Sequence, residues 1–186
     1  MLGLFFYLWK RKPSKINDMK NNETSLYSLS ISDMKTYLMA TLFVAGNLLL
    51  PQLCHFVPQG GLIFLPIYFF TLVAAYKYGF VTGLVTAVMS PVLNSLLFGM
   101  PTTAILPFIL VKSVLLAVAA SFAARRFGRV SLLILLAVVL FYQVLGSAVE
   151  WIALGNFAQV AHNLMLGIPG TLLQVALGYL IIKKID

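Results

Sequence analysis

Lys112 is the residue of this chain whose setting most demands chemistry. It lies in an apolar run from about Thr102 to Ala124, among Leu, Val, Ile, Ala and Phe. If that run crosses a membrane, a lysine within it costs about 2.5–3.5 kcal/mol on insertion scales. A counter-charge is therefore expected. One candidate is Glu150, near the end of a later apolar run; the other is an anionic ligand such as a carboxylate. At about 4 Å and an effective dielectric near 20, opposite charges attract by about 4 kcal/mol. Asn94 and Gln143 lie in similarly apolar surroundings. His55 and Gln59 lie in a polar connection between runs. Asn94, Lys112 and Glu150, with His55 and Gln59 as lid residues, form the expected binding set for one small anionic molecule, with Lys112 carrying the largest share.

Each of these residues also has a plainer role open to it. Lys112 and Glu150 could form a structural ion pair. Asn94 could simply bridge helices. Cys54, His55 and His162 match no metal-ligand spacing and read as residues near helix ends and loops. The apolar runs hold no Ser-x-x-Lys, no His-Glu-x-x-His and no Asp pair. Neither an enzyme, a cofactor nor a metal is expected.

The elements that position these residues follow from composition. Of 186 residues, 61% are hydrophobic and 10% charged, where a soluble domain carries about 25% charged residues. Mean hydropathy is +0.97. These values point to a polytopic, all-α membrane protein. Six apolar segments follow one another: about Thr36–Leu53, Gly61–Tyr76, Gly79–Phe98, Thr102–Ala124, Val130–Leu154 and Asn163–Ile182. Each is near the roughly 20 residues that a helix needs to cross a bilayer. The second is short and contains Pro66, so a tilted or partly irregular span is expected there. Residues 1–34 read as a basic and polar cytoplasmic tail, and 35–186 as the six-helix membrane domain. Within the tail, the apolar stretch Leu2–Trp9 precedes its charges, the reverse of a signal peptide. It reads as an interfacial segment or as a start with no role.

Charge orients the bundle. With six spans, one side receives the tail, the Tyr76–Gly79 turn, the Arg125–Arg129 turn and Lys183–Lys184. That side holds 12 of the 13 basic residues, and Lys112 is the thirteenth. The positive-inside rule makes it, and both termini, cytoplasmic. The same split accounts for the net charge of +8 without nucleic acid. Polar residues gather toward the other side, around His55–Gln59, Phe98–Thr103 and Gly155–Asn163, which suggests an outward-facing pocket. Gly79, Gly83 and Ala87 recur every fourth residue and predict a close helix contact.

This layout resembles the substrate-binding S components of energy-coupling-factor (ECF) vitamin transporters. The resemblance spans roughly residues 35–183. It rests on Leu65-Pro66, Tyr78-Gly79, Gly83, Ser90-Pro91 and the run Leu96-Leu97-Phe98-Gly99-Met100-Pro101. It implies capture of a vitamin or related small molecule from outside, in a bacterial or archaeal cytoplasmic membrane. It also implies assembly with a transmembrane coupling subunit and two ATPase subunits; the chain itself has no ATP-binding loop. Two positions depart from the pattern. The Gly-Met-Pro turn after a Ser-Pro helix looks like the branch of uncharacterised and pantothenate-type S components, which often has an acidic residue in helix 4, where this chain has Lys112. Many S components dock through Ala-x-x-x-Ala in helix 1, whereas Ala40 and Ala45 are one residue too far apart. Thr41-x-x-x-Ala45 and Thr36-x-x-x-Ala40 are the nearest small pairs, and Thr41 and Ala45 are the expected docking positions. The other class open to the sequence is a non-transport scaffold similar to rod-shape-determining membrane proteins, with partner-binding faces and a filled pocket.

Overall fold

The computed structural model describes Leu26, Leu29 and residues 32–185. The expected tail, 1–34, therefore lies almost wholly outside the described residues. Leu29 N–H does donate to the Tyr78 carbonyl at 3.2 Å, and Leu26 packs against the core.

The described residues contain eight helices and no strand. They are α1 (Met34–Cys54), α2 (Gly60–Phe64), α3 (Pro66–Tyr78), α4 (Phe80–Phe98), α5 (Leu106–Phe127), α6 (Leu132–Leu154), α7 (Phe157–Leu166) and α8 (Ile168–Lys184). Five spans are long and apolar enough to cross a membrane, with α2 and α3 together making the second. The pair α7 and α8, bent by 43°, makes a sixth if counted as one.

The second span is the axis of the bundle. It is buried over 67% of its apolar stretch, against 28% for α1. All-round apolarity allows this burial but does not set it, since α1 is just as apolar and far less buried; the second span is central because of what packs on it. It packs against α1, α4, α5 and α8. The span is broken, as Pro66 led us to expect. Leu65 adopts φ 50° and ψ 44°, a left-handed conformation that is strained for a leucine. Pro66 disfavours the right-handed helical region for the residue before it and opens α3 at a position where its missing N–H costs nothing.

A break inside a membrane must have its backbone groups satisfied by protein. The Leu65 carbonyl accepts from Tyr68 N–H at 3.2 Å and from Gln174 Nε2 of α8 at 3.3 Å. Gln174 Oε1 in turn accepts from Tyr142 Oη at 3.0 Å. The α8 helix comes this close because of Gly170, where a Cβ would sit 2.6 Å from the Ile63 carbonyl oxygen.

Two expectations need correction. Residues 155–163, read as a polar connection before a last helix opening at Asn163, are largely helical. Gly155 ends α6 at φ 67°, and Asn156 then caps a new helix, its Oδ1 accepting from Gln159 N–H at 3.1 Å. The small-residue stripe also divides in function. Gly83 does form the close contact, since a Cβ there would lie 2.4 Å from Ala75 Cβ of α3. Ala87 is buried. Gly79 instead separates two helices at φ 95°, a conformation open chiefly to glycine.

Candidate functional site

Besides Gln174, two groups of polar side chains inside the bundle involve the expected site residues. The first begins with Asn47 in the middle of the apolar α1, fully buried. Its Nδ2 donates to Thr71 Oγ1 at 3.2 Å and Ser90 Oγ at 3.1 Å. Its Oδ1 accepts from Phe70 N–H at 3.3 Å. Asn94 of α4 joins it, its Nδ2 donating to the Asn47 carbonyl at 2.9 Å and the Ser90 carbonyl at 3.0 Å. This network ties α1, α3 and α4 together. Asn94 Oδ1 is buried and has no partner among the described residues.

Asn94 borders a cavity of about 460 Å³ between the α1–α2 loop, the α4–α5 loop and the first turn of α5. His55 and Gln59 line it from the first loop. Met100, Pro101 and Thr102 line it from the second, and Ile105 and Ile109 from α5. Gln59 holds a left-handed φ of 58° at the start of α2. The volume suits a small organic molecule.

The second group is the ion pair. Lys112 Nζ lies 2.5 Å from Glu150 Oε2, with side-chain exposures of 14% and 9%. Gly146 makes the pair possible: a Cβ there would meet Lys112 Cγ at 2.3 Å. The lysine stem thus crosses α6 at Gly146 and reaches Glu150 one turn further on. Ser113 and Ser147, the residues that follow Lys112 and Gly146, are buried with hydroxyl oxygens that have no partner among the described residues. Gln143 lies deeper, its Nε2 donating to Thr171 Oγ1 at 3.5 Å.

Of the expected binding set, His55, Gln59 and Asn94 meet at one cavity. Lys112 and Glu150 meet each other and do not line it. Ile109 stands one turn before Lys112 on α5, so the pair lies just past the cavity wall. Thr41 and Ala45 are exposed on α1, along with Leu38, Leu42 and Leu49. Trp151 is 46% exposed at the end of α6 and meets Phe157 edge-on at 5.3 Å, as suits an interfacial aromatic. The chain matches no family model, no curated protein and no solved structure.

Sequence reasoning passed over Asn47 and Gly146. Asn47 carried a signal, since a polar amide in an apolar span needs partners. Gly146 carried little, because its part depends on which side chain crosses it.

Proposed function

We propose that this chain is the substrate-binding membrane subunit for ATP-driven uptake of a vitamin or related small molecule. It works with a transmembrane coupling subunit and two ATPase subunits in a bacterial or archaeal cytoplasmic membrane, with both termini cytoplasmic. The observation that carries the reading is the cavity of about 460 Å³, walled by two loops and bordered by an orphaned buried acceptor. It lies at the end of the bundle away from the Arg125–Arg129 turn, the arrangement expected of a site open to the outside. Thr41 and Ala45 are small residues exposed on α1, where a partner helix can approach closely. A scaffold has no use for such a cavity.

Lys112 bears on the ligand's charge. Glu150 already neutralises it, so an anionic ligand must draw Lys112 away from Glu150. A neutral ligand leaves the pair closed. The uptake reading is tested by purifying the full chain from its own cells and identifying small molecules released on denaturation. One compound recovered at near-stoichiometric yield, and stabilising the emptied protein when added back, is the expected result. A protein that carries no small molecule, with no metabolite raising its melting temperature, would overturn the reading.

A further inference from the structure

We propose that the cavity takes a neutral molecule with an apolar body and a hydrogen-bond donor, and that the donor docks on Asn94 Oδ1. This deepens the small-molecule reading above and rests on it. Two buried asparagines stand side by side in the bundle. Asn47 has partners for both its amide protons and for its oxygen. Asn94 has partners for its protons alone. Both of those partners are carbonyl oxygens, which only accept. The Asn94 amide therefore cannot be turned round, because Oδ1 would then face two oxygens. The group left over is an acceptor on a side chain that borders the cavity; it is itself buried and without a partner among the described residues. A buried acceptor in that state is costly until a donor reaches it.

The rest of the wall selects the body of the ligand. Val57, Ile67, Ile105 and Ile109 supply apolar surface, and among the described residues no Asp, Glu, Lys or Arg lines the cavity. A charged molecule would be desolvated there with no counter-charge. A hydroxyl, amide or ring N–H on an apolar frame meets both requirements.

Indole and benzofuran test this, being close in shape while only indole carries an N–H donor. Binding is measured on the full chain in nanodiscs by calorimetry. Indole is expected to bind about tenfold or more tightly than benzofuran, because a site built to pair a donor rejects the analogue that lacks it. Ile105→Trp, which adds bulk at the cavity wall, should abolish binding of both. Asn94→Leu should equalise the two. Because Asn94 also ties α4 to α1, the wild-type comparison decides alone if that variant does not fold. Equal affinity for the two compounds, or no binding of indole, overturns the proposal. So does an indole preference that survives Ile105→Trp. A cavity holding water only would give the no-binding result. A co-purifying metabolite together with equal indole and benzofuran affinity sinks the donor assignment and spares the uptake reading. An indole preference with no co-purifying metabolite does the reverse.

Discussion

Gln174 Nε2 donates to the carbonyl of Leu65 at 3.3 Å, so the last helix holds the break in the central span. The same amide accepts from Tyr142, and Tyr142 meets the Tyr68 ring at 5.2 Å. A strained residue persists only when its surroundings over-determine it, and Gln174 is the side chain that does so here. Gln174→Leu keeps the apolar bulk and leaves the buried Tyr142 hydroxyl without its acceptor. We expect a loss of about 1–3 kcal/mol, measured by unfolding in mixed detergent micelles. An unshifted midpoint would mean that the break is held by α2 and α3 alone.

Lys112→Met leaves a carboxylate at position 150 buried with no counter-charge. Breaking one side of such a pair costs about 3–5 kcal/mol. Lys112→Met combined with Glu150→Leu should recover most of that loss. Affinity for the co-purifying ligand should be unchanged in Lys112→Met, since the lysine does not line the cavity. A drop of about 2–5 kcal/mol in binding, the usual cost of truncating a buried charge partner, would instead put an anionic ligand on Lys112.

At the α3–α4 contact, Gly83→Ala places a methyl 2.4 Å from Ala75 Cβ. Overpacking of this kind costs about 1–3 kcal/mol. Adding Ala75→Gly removes that Cβ but leaves the Ala75 Cα 2.6 Å from the new methyl, so it should recover only part of the lost melting temperature. Full recovery in the double variant would mean that the backbones part at little cost.

For the exposed α1 face, Ala45→Trp adds bulk where a partner helix is expected to lie flat. Co-expressed with a coupling subunit and its ATPases, the variant should fail to co-purify with them while binding ligand normally. Normal assembly would remove α1 from the docking surface.

Orientation is read with thiol labels in a Cys54→Ala background. Thr102 lies in the α4–α5 loop and Arg129 in the α5–α6 turn, and both are exposed. Cysteine at 102 should react with an impermeant reagent from outside intact cells, and cysteine at 129 only after lysis. Reaction of both from the same side would overturn the cytoplasmic placement of the termini.

The membrane-spanning character of this chain is written in its composition and segment lengths, because a bilayer imposes a length and an apolar character on each helix separately. The break at Leu65-Pro66 was legible for a similarly local reason, since proline limits its predecessor wherever the chain goes. So was the contact at Gly83, given by residue size and spacing along one helix. The α7 helix was less legible: its polar residues read as a loop until Asn156 is seen capping it. Only the tertiary structure decided how the polar residues pair. Glu150 stands 38 positions from Lys112, and they meet because Gly146 clears a path for the lysine stem. Two particular carbonyls take the Asn94 protons, and its acceptor is left without a partner among the described residues. Those outcomes depend on how helices rotate and approach one another, and no spacing along the chain records that.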